Sequence, residues 1–176
     1  GLHAAVTDPL TGLYNRRYVE PHLSRMAEQA RVSQREFAVM MLDIDNFKSI
    51  NDRNGHAAVD KVLIEIANRL RENLRAIDLV ARVGGEKFMV AMPNTNNEQG
   101  HIAADRLRKL ISARPFLLGP DKPKLNVTMS VGVAVGGLER LNRVQIDSMC
   151  NLADEALYAA KSAGRDKVAM SKRLAS

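Results

Sequence analysis

Apolar residues recur along the chain with two alternating periods, and the switches between them predict an order of elements. Residues 16–31 carry apolar positions at helical spacing, with Pro21 expected to confine the start to a first turn or to kink it. Residues 37–42 form an unbroken apolar run of buried-strand type that stops at Asp43-Ile44-Asp45. A polar stretch reaches Gly55. Residues 57–74 then place Val59, Leu63, Ile66, Ala67, Leu70 and Leu74 at i, i+3, i+4 spacing, the mark of an amphipathic helix. Residues 79–83 and 86–92 read as strands around Gly84-Gly85, a tight hairpin whose glycines would supply the positive φ of a primed turn. Asn94 to Asn97 offers capping residues for a helix over 98–113, and Pro115, Gly119, Pro120 and Pro123 mark a loop. A strand over 125–135, a helix over 147–163 with Gly164 at its C′ position, and a short edge strand near Val168–Met170 complete the pattern.

The string is a helix, then β-α-β-β-α-β, then a helix. It predicts an α/β (α+β) fold with a ferredoxin-like βαββαβ core: an antiparallel sheet with helices on one face. In that topology the third strand of the core lies beside and antiparallel to the first, so Asp43 should come close to Glu86. Two carboxylates meeting at a sheet edge beside glycines suit a hard divalent cation that also holds phosphates.

The chain's 176 residues fit one domain with its own core. Lys and Arg number 26 against 20 Asp and Glu, a net charge of +6 that favours anionic ligands. Nucleic acid is disfavoured among them, because there is no Trp and no basic stripe interleaved with stacking aromatics. Cys150, the single cysteine, reads as a buried structural thiol, and one unpaired cysteine fits a reducing cytoplasm. No run of about 18 apolar residues is present to span a membrane. Gly1-Leu2-His3-Ala4 lacks signal-peptide character and reads as a cut point below an upstream domain.

Gly84-Gly85-Glu86-Lys87-Phe88 resembles the GG(D/E)EF signature of diguanylate cyclases, with lysine in the fourth position. The resemblance extends over the chain in order. Asp8-Pro9-Leu10-Thr11-Gly12-Leu13 with Asn15-Arg16-Arg17 is similar to the family's entry motif. Asp43 to Lys48, Asn51-Asp52 and Gly55-His56 resemble its first-strand and nucleotide segment. Asn126 to Gly132 and Ala153 to Tyr158, with Lys161, Gly164 and Arg165, resemble its closing strand and helix. The chain is thereby identified as a GGDEF-family domain over residues 1–176, with the palm-type fold of nucleotidyl cyclases, expected as the C-terminal output domain of a longer regulated protein.

The resemblance implies an enzyme that condenses two GTP into cyclic di-GMP and two pyrophosphates. It implies that Asp43, the Ile44 carbonyl and Glu86 hold one or two Mg²⁺, with Mn²⁺ as a substitute, and that Glu86 and Lys48 act in catalysis. Lys48 and the amides around Phe47 would steady phosphate charge, and Lys161 and Arg165, four apart on one helix face, would reach the terminal phosphates. Asn51 and Asp60 would read guanine, and Gly84 and Gly85 would admit the nucleotide to the backbone. Arg75 and Asp78 form the family's inhibitory RxxD pattern upstream of Gly84, with Arg106 as its third residue, so cyclic di-GMP is an expected allosteric ligand. Facing copies in a homodimer are required, because one domain with one GTP cannot present a 3′-hydroxyl in line to a second α-phosphate. Lys87 sets the alternative: a receptor for cyclic di-GMP or GTP without turnover. Strand alternation should send Glu86 and Lys87 to opposite faces.

Overall fold

In a computed structural model, which describes residues 5–172, the chain runs β1 (Tyr14–Asn15), α1 (Arg16–Ser33), β2 (Phe37–Ile44), α2 (Phe47–Glu72), β3 (Leu79–Arg82), β4 (Lys87–Met92), α3 (Asn97–Ser112), β5 (Met129–Gly136), α4 (Arg143–Ser162) and β6 (Val168–Met170). The expected cut point at residues 1–4 lies outside the described residues. One sheet takes the order β1-β3-β4-β2-β5-β6. Its four central strands are antiparallel neighbours in the ferredoxin-like order, whereas β1 and β6 add to its edges in parallel, making a mixed six-stranded sheet.

Helices cover both faces of this sheet, not one. The central strand explains why. Every residue of β2 is buried, and its apolar side chains alternate between Ala38, Met40 and Leu42 in one cluster and Phe37, Val39 and Met41 in another. The first cluster is closed by Val62, Ile66 and Leu70 of α2 with Leu107 and Ile111 of α3. The second is closed by Leu23 and Ala27 of α1 with Met149, Ala153 and Leu157 of α4. A strand apolar at both parities needs cover on both sides, since each buried large aliphatic or aromatic side chain is worth about 1.5–3 kcal/mol.

Three local features differ from the sequence pattern. Helix α1 runs through Pro21 without ending, held by Val19, Leu23, Met26 and Ala30 in the core. The polar stretch before Gly55 is helical, and Gly55, at φ 82° and ψ 171°, joins it to the amphipathic helix across a break that α2 absorbs. A non-glycine residue would be strained at that φ. Neither Gly84 nor Gly85 has a left-handed φ, so the link from β3 to β4 is not the primed turn expected. Val83 N–H instead donates to the Lys87 carbonyl at 2.9 Å and closes a longer turn.

Two placements matter for the site. Helix α4 lies directly on β5 at Gly132, where a Cβ would fall 2.1 Å from the Leu157 nitrogen, so even alanine would push the helix off the sheet. That close approach aims the last turn of α4 at the end of β2. Strand β5 itself begins at Met129, later than the 125–135 pattern suggested, and Leu125 is held by an isolated bridge to Phe116.

Candidate nucleotide site

Where β2 hands over to α2, an open cleft of about 580 Å³ is bounded by Ile44, Asn46, Phe47, Lys48 and Ser49 on one side and by Glu86, Lys161 and Arg165 on the other. Asn46, at φ 56°, makes the corner in the left-handed conformation and does not cap α2 with its side chain. Asn96 and Asn142, by contrast, cap α3 and α4 through complete capping boxes. The first amides of α2 thus lack a capping side chain at the wall of the cleft, where the helix dipole also favours an anion. Asp52 and Arg53 line the same cleft one turn further on.

The two aspartates at the end of β2 have opposite surroundings. Asp45 is buried and fully used: Thr128 Oγ1 and the Asp166 amide donate to its Oδ2 at 2.7 and 3.0 Å, and Ser130 Oγ to its Oδ1 at 2.6 Å. Asp43 is also buried. Its Oδ2 pairs with the Lys161 ammonium, but its Oδ1 is buried with no hydrogen-bond partner. A buried carboxylate oxygen left unmatched costs free energy unless a cation or donor arrives. That atom fits a divalent cation. Among the described residues no group of three His, Cys, Asp or Glu could enclose a metal alone, so backbone and ligand phosphate oxygens would have to complete the shell.

Strand pairing brings Asp43 beside the signature turn, as the topology required. The register sets Asp43 directly opposite Lys87, while the Ile44 amide donates to the Glu86 carbonyl at 3.3 Å. Glu86 stands at the cleft. The Lys87 ammonium reaches Asp154 of α4 at 3.0 Å. A Cβ on Gly85 would meet nothing within 4 Å, and one on Gly84 only Lys87 Cβ at 3.5 Å, so the turn leaves open space.

The other expected residues divide. Lys161 and Arg165 both line the cleft, but not on one helix face: α4 ends at Ser162, and Arg165 follows at φ 65°. Neither Asn51 nor Asp60 lines the cleft, although Asn51 follows Lys48 by three positions on the same helix. Arg75 and Asp78 occupy the turn between α2 and β3 and satisfy each other. The Arg75 guanidinium donates to Asp78 Oδ1 at 2.8 Å and to the Pro93 carbonyl at 2.9 Å, and the Arg75 amide donates to Asp78 Oδ2 at 2.7 Å. Arg106 reaches the same region by donating to the Asn73 carbonyl at 3.0 Å. Cys150 is half-buried, and burial, with Asp147 and Asp154 nearby, pushes its thiol up to about 12, which suits an unreactive role.

Sequence reasoning gave no site role to Asp52, Arg53 or Asp154, although Asp52 and Asp154 lie within the family-like motifs. Lys48 and Asp52 are four apart, so the signal existed once the polar stretch is taken as helix.

Residues 5–167 match the family model described as diguanylate cyclase, GGDEF domain. Response regulator PleD of Caulobacter vibrioides is 42% identical over 167 residues, covering 95% of this chain and 36% of PleD. Diguanylate cyclase DgcP of Pseudomonas aeruginosa is 42% identical over 165 residues, covering 93% of this chain and 24% of DgcP. The chain thus spans about a third or less of these relatives' length. The GGDEF domain of DgcB from Caulobacter crescentus, solved in complex with c-di-GMP, superposes with a TM-score of 0.87 at 29% identity, covering 96% of this chain and 94% of that one. No helix among the described residues is long and apolar enough to cross a membrane. A family model over residues 5–167, relatives 42% identical over nearly the whole chain and a superposable fold have one reading: the chain belongs to the GGDEF family of diguanylate cyclase domains.

Proposed function

We propose that the domain binds GTP in the cleft at the end of β2 and that two facing copies join two GTP molecules into cyclic di-GMP. The observation that carries this reading is the unpartnered, buried Asp43 Oδ1 beside a cleft lined by Lys48, Arg53, Lys161 and Arg165. Mg²⁺, held by Asp43, the Ile44 carbonyl and Glu86, would polarise the α-phosphate and ease deprotonation of the 3′-hydroxyl. The chain's own residues set the frame. The uncapped first turn of α2 and Lys48 hold phosphate oxygens, Arg165 takes the terminal phosphate, and Lys161 shares itself between that phosphate and Asp43. Asn51 and Asp60 read guanine once the base reaches beyond the cleft along α2. Cyclic di-GMP returns to Arg75, Asp78 and Arg106 and restrains the enzyme. The reading places the domain in the cytoplasm, as the output part of a longer protein that controls pairing.

The test is product analysis after incubation with GTP and Mg²⁺, using the domain alone and fused to a dimerising coiled coil. Cyclic di-GMP from the fused form alone supports the reading. No product from either form, with GTP or cyclic di-GMP still bound, supports the receptor reading instead. The observation that favours this second reading is the register that sets Lys87, not a carboxylate, directly opposite Asp43.

A further inference from the structure

Lys87 has two carboxylates within reach. Directly opposite residues of an antiparallel pair stand with Cβ atoms about 4.5–5.5 Å apart on one face of the sheet, so the register puts the Lys87 stem beside Asp43. The free oxygen there, Asp43 Oδ1, is buried and unpartnered. The ammonium nevertheless pairs with Asp154 at 3.0 Å. Asp154 belongs to α4, as does Lys161, whose ammonium takes the other Asp43 oxygen. Both lysine–carboxylate pairs therefore bridge the sheet to one helix, and that helix is fixed against β5 at Gly132.

We infer that Asp154 is a positioning residue for the cation site: it draws Lys87 aside and keeps Asp43 Oδ1 free. Without it, the carboxylate directly opposite Lys87 in the register is Asp43 with its unmatched Oδ1, and an ammonium there would neutralise the carboxylate and repel a divalent ion. Asp154 thus makes an otherwise disabling lysine compatible with metal. The inference rests on the reading of Asp43 as a metal ligand, and the test separates the two.

Calorimetry with α,β-methylene GTP, which cannot release pyrophosphate, is run in EDTA and in Mn²⁺, and the gain in affinity on adding metal is the readout. Wild type is expected to show a clear gain, which Asp43→Asn loses. Asp154→Asn is expected to lower the gain about tenfold, the scale of one unit charge moved to within about 5 Å of the site, and Lys87→Ala/Asp154→Asn is expected to restore it. A structural role for Asp154 would not be rescued by removing Lys87, so an unrestored double variant overturns the inference. A gain unchanged in Asp154→Asn but lost in Asp43→Asn also overturns it while leaving the metal reading intact. If wild type shows no gain, or Asp43→Asn keeps it, the metal reading fails first.

Discussion

The cleft at the end of β2 and the turn between α2 and β3 both carry charged residues expected to meet guanine nucleotides, yet they stand in opposite states of readiness. At the cleft, Asp43 keeps a buried oxygen without a partner and α2 begins without a side-chain cap. At the turn, Arg75 and Asp78 hold each other through side chain and backbone. The cleft carries the cost of one unmatched, buried carboxylate oxygen in the free protein, which a bound cation would recover. A ligand at the turn must first break an ion pair, and only the surplus appears as affinity. Under the proposed function, the difference means that GTP would meet a preformed site, whereas cyclic di-GMP would meet one that competes with itself.

The largest expected effect breaks the cleft side of this contrast. Asp43→Asn removes a charge that no neighbour can supply, because both Asp45 oxygens are occupied. Turnover by the forced dimer should fall by about a thousandfold or more, roughly 4 kcal/mol of barrier. Thermal melting should fall only modestly, since the lost pairing with Lys161 is partly offset by removing a buried, unpartnered carboxylate oxygen. Substantial product from this variant would remove Asp43 from the chemistry.

A smaller effect tests the turn. Arg75→Ala should weaken cyclic di-GMP binding by about 2 kcal/mol, toward the low end for a charge-assisted contact because Arg75 already has partners in the free protein. Calorimetry should also find GTP binding unchanged. Equal product affinity in wild type and variant would place any second site elsewhere.

Smaller again is the effect of the odd residue in the signature. Lys87→Glu should raise turnover at least about tenfold, or 1.4 kcal/mol, because a carboxylate opposite Asp43 adds a ligand where an ammonium stood. The same substitution should lower melting temperature without metal, since it sets like charges opposite each other and leaves Asp154 unpaired. A rise in rate with a fall in metal-free stability is the expected pair of outcomes. Equal rates in the two forms would mean that Asp154 already cancels the lysine.

How much of this was legible in the sequence depended on whether the apolar pattern or the polar groups set the geometry. The periodic segments gave β2, α3, α4 and the βαββαβ order, and that order alone put Asp43 near the signature. The first half of α2 has the pattern of a polar stretch because its Lys48, Ser49, Asp52 and Arg53, with Asn46 before it, line a cleft rather than a core. For the same reason the polar pattern assigns no site role to Asp52 or Arg53. Strand β1, two residues long, is too short to show a period. Topology fixes which strands meet but not which residue faces which. The one-position difference that sets Lys87 rather than Glu86 opposite Asp43 is therefore visible only in the register. Arg165 leaves the helix because Gly164, at φ 119°, ends it, so the stop signalled by Gly164 also takes Arg165 off the face that carries Lys161.

The smallest expected effect concerns how the open state of the cleft is supported from behind. Arg82 of β3 donates to the Gly85 carbonyl at 2.9 Å and to Asp8 at 3.2 Å, so it ties the signature turn to the entry motif. Burial raises the Asp8 carboxyl toward neutrality, but hydrogen bonds from the Thr11 amide and hydroxyl, with the Arg82 charge, outweigh it and hold Asp8 below the usual carboxylate range. A depressed folded value stabilises the protein above the ordinary aspartate range, and that contribution is lost as pH falls through the folded value. Asp8→Asn should therefore cost about 1 kcal/mol near neutrality, allowing for solvent screening, and the gap from wild type should close in acid. Urea melts across pH will show it. Because Gly85 keeps its bond to Arg82 in the variant, GTP affinity should fall by no more than a few-fold. A larger loss of GTP binding with unchanged stability would mean that Asp8 acts on the nucleotide itself rather than on the turn beneath it.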